Sequence, residues 1–230
     1  MKVILFGATG MVGQGVLREA LLDAEVTSIL AVGRGASGKT DPKLREVVLT
    51  DPSELSSLDA ELADVDACLF CLGVSAAGMS EADYRRVTEA LTLKVADALL
   101  AKNPKMRFLY VSGAGTDATA RTMWARVKGE TENALLARSP AGAFMFRPAL
   151  IQPLHGIVSR TPLYQGVYAV LGPILPAARS LLPGQVTTTE IVGRAMLAVA
   201  RHGAEKKVLE NRDINELAAT PAAPTAPAGA

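Results

Sequence analysis

The chain opens Lys2-Val3-Ile4-Leu5-Phe6-Gly7-Ala8-Thr9-Gly10-Met11-Val12-Gly13, and the fold is decided there. Val3–Phe6 is an unbroken apolar run of strand length, as a strand buried on both faces requires. It passes straight into three glycines spaced three apart. Apolar residues then recur with a helical rhythm from Met11 to Leu22. Each glycine has its own task at such a strand-to-helix turn. Gly7 allows the tight exit from the strand, Gly10 lets the backbone approach a pyrophosphate, and Gly13 lets the helix pack closely on the sheet. Thr9, Met11 and Val12 complete the turn. The helix start supplies free N–H groups and the positive end of the helix dipole to the phosphates.

Outward from this turn the alternation repeats. Strands are predicted at Lys2–Phe6, Thr27–Val32, Glu46–Leu49, Ala67–Leu72, Arg107–Ser112 and Ala143–Arg147. Helical patterns fall at Met11–Leu22, Ser80–Lys102 and Arg121–Arg138, with a short turn near Pro52–Leu58. Ser80 with Asp83 three residues later is a capping-box-like start, and Asn103-Pro104 ends that helix. Strands and helices alternating at these lengths predict βαβ units. Right-handed crossovers then give an α/β fold: a doubly wound parallel sheet of order 3-2-1-4-5-6 over residues 1–148. After Pro148 the rhythm breaks, with five prolines between 149 and 186. That stretch reads as an irregular lobe with one or two short helices. A closing helix at Thr188–His202 and a strand near Val208–Glu210 complete a small C-terminal lobe over 149–217. Residues 218–230 are Ala/Pro/Thr-rich and uncharged, and are expected to be a disordered tail.

Composition narrows the function classes. Of 230 residues, 24 are Lys or Arg and 23 Asp or Glu, leaving a net charge of +1. Without a basic block, no nucleic-acid partner is expected. Two cysteines build no disulfide scaffold. Cys68 and Cys71 form a CxxC on a strand, where an offset of three sends them to opposite faces, so both are expected in the core. With only His155 and His202 and no carboxylate–histidine cluster, no metal site is expected. Val3–Phe6 is too short for a signal-peptide core, so a soluble, cytoplasmic protein, monomer or homodimer, is expected.

The glycine spacing is GxxGxxG rather than GxGxxG. In this the chain resembles the extended and atypical short-chain dehydrogenase/reductase superfamily, including the NAD-dependent epimerase/dehydratase-like proteins, over roughly residues 1–210. The resemblance implies a Rossmann-type site at the carboxyl ends of the strands. At the end of strand two a dinucleotide fold reads the adenosine ribose, an acid favouring NAD and an arginine NADP. Here stands Arg34, with Ser37 and Lys39 nearby and no acid between Thr27 and Thr40. NADP(H) is therefore expected as cofactor. Asp51 resembles the residue that reaches the adenine amino group, with a local cap as the other reading. Cys71, Leu72 and Gly73 end strand four, where Gly73 lets the chain pass the cofactor ribose. Phe146-Arg147-Pro148-Ala149-Leu150 resembles the Arg-Pro motif whose following backbone faces the nicotinamide amide.

Ser112, ending strand five, resembles the superfamily's active-site serine, which bonds a substrate carbonyl or hydroxyl. The superfamily's Tyr-x-x-x-Lys is here Trp124-Ala125-Arg126-Val127-Lys128. Lys128 is expected to hold the nicotinamide ribose. Trp124 can stack or hydrogen-bond but has no titratable proton. Water, Ser112, Tyr84 or Tyr110 would have to supply one, and His155 is a further loop candidate. Three functions follow, in this order. The first is an NADP(H)-dependent oxidoreductase acting on a small, mainly apolar carbonyl compound. The second is a non-catalytic NADP(H)-binding redox sensor. The third is a sugar-nucleotide epimerase or dehydratase. The uncharged stretch 161–178 reads as a lid or pocket wall, then a dimer surface, then a membrane-surface contact.

Overall fold

The computed structural model of the protein describes residues 1–140, 142–158 and 184–219. Seven strands form one parallel sheet: β1 (Lys2–Phe6), β2 (Ser28–Gly33), β3 (Leu44–Val48), β4 (Ala67–Phe70), β5 (Arg107–Val111), β6 (Ala143–Arg147) and, later in the chain, β9 (Val208–Glu210). Their order is β3-β2-β1-β4-β5-β6-β9. The predicted order is present, and β9 extends it along β6, pairing Arg147 with Glu210. The turn after β1 leads into α1 (Met11–Leu22). A short helix α2 (Asp59–Leu62) precedes β4.

Side chains alternate across this sheet and build two cores. Val3, Leu5, Leu69, Leu109 and Phe146 face one side. Ile4, Phe6, Cys68, Phe70, Phe108 and Tyr110 face the other. On the second side Phe70 lies 5.5 Å from Phe6 and 5.6 Å from Phe108, centroid to centroid. Each such aromatic pair adds about 1 kcal/mol beyond burial. Cys68 packs in the second core while Cys71 leans on the first, so the two sulfurs do point apart.

The helix predicted from Ser80 is present with one irregularity. Ser80 Oγ accepts from Asp83 N and starts α3 (Glu81–Arg85). A wide π-helical turn over Arg86–Ala90 joins it to α4 (Leu91–Lys102). The long α5 is Met123–Arg138. The helix predicted at Thr188–His202 is α6 (Thr189–His202), with Thr188 as its cap. It crosses α1 at glycines: a Cβ on Gly15 would stand 2.5 Å from Thr189 O, and one on Gly193 2.8 Å from Glu19 Cγ.

Two features of the C-terminal region depart from the prediction. Leu150–Gln152 (β7) and Val186–Thr188 (β8) pair as a small parallel sheet, where an irregular stretch was expected. A helix α7 (Asn211–Ala219) follows β9, where no helix was expected and where the disordered tail was to begin at Ala218. Ile214 is fully buried and holds α7 to the first core. One fully buried residue, with Leu217 and Ala218 only partly covered beside it, leaves a weak sequence signal. The stretch 161–178 lies outside the described residues. Among the described residues no helix is long and apolar enough to cross a membrane.

Candidate active site

The glycine turn is packed as tightly as the backbone allows. Gly7 adopts φ +86°, a conformation that side chains disfavour. A Cβ there would stand 2.7 Å from the Cys71 carbonyl carbon and 2.9 Å from Leu72 N. One on Gly13 would stand 1.9 Å from Gly7 O. Gly10 differs, because its Cβ would meet only Gly7 O, at 3.4 Å. Gly10 is also the N-cap of α1, no side chain caps it, and the first turn holds no acid. Gln14 reaches back to Thr9 O at 3.1 Å. Gly7 and Gly13 are buried, whereas Thr9, Gly10, Met11 and Val12 are half-exposed. Gly73 across the crevice is exposed, with nothing within 4 Å of where a Cβ would be. A narrow backbone cradle, an uncapped helix start and an open β4 exit fit a dinucleotide pyrophosphate.

At the far end of the crevice Arg34 is exposed and makes no ion pair among the described residues. Ser37 N donates to Glu46 Oε1 at 2.7 Å, and Lys39 N to Ser37 Oγ at 3.2 Å. Glu46 comes from β3, so a scan of the β2 exit alone misses this carboxylate. Asp51 Oδ1 accepts from Ser53 N at 2.9 Å and Ser53 Oγ at 2.6 Å. These bonds hold its carboxyl below the ordinary range. Asp51 Oδ2 lies 3.6 Å from Lys94 Nζ.

The β5 exit carries a connected polar chain. Ser112 is buried, and its Oγ donates to Glu132 Oε1 at 2.5 Å, with Phe146 O at 3.1 Å. Ser112 O accepts from Lys128 Nζ. Glu132, only 2% exposed, is clamped by Arg147, Nε to Oε1 at 3.1 Å and Nη2 to Oε2 at 2.5 Å. Arg147 Nη1 continues to Glu210 at 3.0 Å. Trp124, Lys128 and Glu132 are spaced four apart on α5 and share a face. That spacing is the signal by which the sequence could have found Glu132. Burial pulls the half-buried Lys128 ammonium down to about 8, and Glu132 opposes the fall.

The indole of Trp124 lies over the β5 exit loop: Cη2 is 3.6 Å from where a Cβ on Gly115 would stand. Gly129 fastens α5 there, since its Cβ would fall 2.2 Å from Ala118 N. The Arg-Pro segment closes the same side. Pro148 O accepts from Ala114 N at 2.9 Å, Ala149 N donates to Asn211 Oδ1 at 2.9 Å, and Leu150 N to Gln185 O at 3.1 Å. The backbone N–H groups expected to face a nicotinamide amide are thus engaged within the protein.

A family model described as NAD(P)H-binding matches residues 7–141. The chain belongs to this NAD(P)H-binding family. Relatives include protein fmp52, mitochondrial, of Emericella nidulans, 31% identical over 65% of this chain and 66% of that protein. Protein FMP52, mitochondrial, of Chaetomium globosum is 25% identical over 94% of this chain and 97% of its own length. These mitochondrial names overturn the cytoplasmic expectation. The fold matches that of a UDP-glucuronic acid 4-epimerase from Bacillus cereus in complex with NAD, with a TM-score of 0.66 and 11% identity over 91% of this chain and 77% of that one. It also matches a short chain dehydrogenases/reductase from Saccharomyces cerevisiae, with a TM-score of 0.64 and 12% identity over 94% of this chain and 98% of that one. The NAD(P)-binding Rossmann fold and the kinship of fold with the short-chain dehydrogenase/reductase and epimerase/dehydratase superfamily are therefore as expected.

Other side chains of this NAD(P)H-binding protein take quieter places. Tyr84 and Tyr110 are buried in the core, and burial pushes the Tyr110 hydroxyl far up. Burial likewise raises both thiols, and Cys71 Sγ rests 3.9 Å from Met196 Sδ. His155 Nε2 lies 2.7 Å from Glu190 Oε2, which ties its loop to α6. Among the described residues no group of His, Cys, Asp and Glu gathers to hold a metal ion.

Proposed function

We propose that this protein is an NADPH-dependent reductase of a small, mainly apolar carbonyl compound. The observation that carries the reading is the placement of Trp124 and Lys128 on one face of α5, with Lys128 bonded to the β5 exit and the open glycine cradle at the β1 exit. When bound, the nicotinamide supplies a hydride to the carbonyl carbon. The residues supply binding and orientation. The uncapped start of α1, at Gly10, Met11 and Val12, holds the pyrophosphate. Gly7 and Gly13 give it room, with Thr9 at the rim. Arg34, exposed and without an ion pair among the described residues, faces the 2′-phosphate as a fixed charge with a planar donor set. Glu46 beside the same loop tempers that preference, because a carboxylate repels a phosphate. Asp51 reaches the adenine edge only by sharing the oxygen that lies 3.6 Å from Lys94 Nζ. Cys71, Leu72 and Gly73 line the ribose path. Lys128 holds the nicotinamide ribose, and Trp124 stacks on or donates to the ring. Ser112 has its one proton on an internal acceptor, so it offers the site an acceptor that suits the product hydroxyl and not the substrate carbonyl. Pro148, Ala149 and Leu150 shape the wall behind the nicotinamide.

A second reading is favoured by the same side chains. Trp124 has no proton to give, and the Ser112 proton is committed to Glu132, as in a module that binds the cofactor without turning it over. One experiment separates the two. Trp124, the sole tryptophan, is excited while NADPH or NADH is titrated, and the protein is then assayed on aldehydes, ketones and quinones. The reductase reading expects tighter binding of NADPH than NADH, and turnover. Binding without turnover across the panel moves the protein to the sensor class.

A further inference from the structure

The side chains that carry a proton at the β4 exit, the β5 exit and the facing side of α5 include Cys71, Ser112 and Lys128, with Ser75 farther out after β4 and Thr116, whose Oγ1 donates to Gly113 O at 2.8 Å. The thiol of Cys71 lies against Met196, and burial keeps it protonated far above neutrality. The Ser112 proton is held on Glu132. We propose that Lys128 is the general acid of the carbonyl reduction, giving its proton to the substrate oxygen where Trp124 cannot. The assignment rests on the reductase reading.

The geometry frees Lys128 for this. Its ammonium carries three protons, and the one bond it makes among the described residues goes to a neutral acceptor, Ser112 O. The carboxylate one turn away, Glu132, already accepts three bonds, Oε1 from Ser112 and Arg147 and Oε2 from Arg147, and none from Lys128 among the described residues. No ion pair therefore pins the proton on nitrogen. The other charges on neighbouring elements are Arg147 of β6 and Asp117 of the β5 exit loop, with Glu81, Arg85 and Glu89 of the α3–α4 helix, where Arg85 also binds Glu130 of α5. Of these groups, Glu132 acts on Lys128 directly, and the burial of the ammonium outweighs it. A titration point near 8 suits an acid working close to neutral pH.

The step balances. The carbonyl carbon gains a hydride, the C=O pair moves onto oxygen, and that oxygen takes a proton from Nζ. An alcohol, oxidised cofactor and a neutral amine result, and solvent reprotonates the amine. Lys128→Arg tests this, because arginine keeps the cation and the ribose donors yet does not release a proton below about pH 12. The variant is expected to bind NADPH within a few-fold of wild type and to lose about 10²-fold in turnover. In the wild type kcat/KM should be flat below pH 8 and fall tenfold per pH unit above it. Independently, the Lys128 ¹⁵Nζ resonance of the cofactor-free protein should titrate near 8. Wild-type turnover retained in Lys128→Arg, a profile flat to pH 10, or titration above 10 overturns the assignment alone. NADPH binding with no carbonyl reduced by wild type overturns the reductase reading, and this role with it.

Discussion

At the scale of single residues, Glu132 shows how one buried charge serves three neighbours. Its carboxylate neutralises Arg147 and takes the Ser112 proton, and its charge raises the Lys128 titration point against the pull of burial. Glu132→Gln keeps the shape and removes the charge. Arg147 is left with Glu210 alone, and breaking a buried pair of this kind costs about 3 kcal/mol. The sign at Lys128 follows directly. A negative charge nearby favours the ammonium, so its loss drives the titration point below 8. The pH above which activity falls should move down, and urea unfolding should show the lost stability. An unchanged pH limb in a stable Glu132→Gln protein would mean that the carboxylate does not act on Lys128. None of this was readable in the residue alone. Glutamates spaced from lysines on a helix are usually solvated, and only the approach of β6 turns this one inward.

At the scale of elements, the strand-turn-helix at the start of the chain separates packing glycines from an open one. Gly13→Ala places a methyl 1.9 Å from Gly7 O, a backbone atom that cannot swing away. Overpacking of this severity costs about 3 kcal/mol. Gly10→Ala meets the same oxygen at 3.4 Å, with an ordinary backbone at φ −79°, so stability should fall by about 1 kcal/mol or less. The methyl then stands in the proposed path of the pyrophosphate. Thermal unfolding should therefore single out Gly13→Ala, while fluorescence titration should show Gly10→Ala folded but weak for NADPH. Similar Tm values for the two variants would contradict this division of roles. This element was legible because its signal is local: a run, three glycines and a helical period within a few turns. The six strands of the predicted sheet, Ser80 as a cap and the closing helix near Thr188–His202 were legible for the same reason. The strand at Val208–Glu210 was legible too, but its place beside β6 and the whole of α7 were not, because a three-residue strand finds its neighbour, and one buried isoleucine its meaning, only in the folded chain. In the site, the spacing Trp124–Lys128 could be read, but the engagement of Ser112 and of the Ala149 and Leu150 N–H groups belongs to partners far away in sequence.

At the scale of the whole molecule, α7 joins the site to the edge of the sheet. Asn211 accepts from Ala149 N beside the Arg-Pro segment, and Asn215 Nδ2 donates to Val186 O at 3.0 Å. Both strands of the β7–β8 sheet are thus tied to one helix, which Ile214 anchors in the core. Removing that anchor should act unevenly. Ile214→Ala costs about 2–5 kcal/mol for the lost burial and the cavity. The loss concentrates where α7 touches, because β1, β2 and β4 keep their partners on both sides. Hydrogen exchange should therefore speed at Ile151, Thr187 and Asn211, while amides of Ile4, Leu5 and Leu30 stay protected up to the global unfolding limit. Cofactor binding at the glycine cradle should survive this, since the cradle is built from the β1, α1 and β4 exits. Turnover should fall, because Pro148 and Ala149, proposed to shape the nicotinamide side, stand directly before the released strand. Uniform acceleration of exchange across the sheet would show instead that α7 and the central strands open as one unit, and that the small lobe has no independent freedom to move.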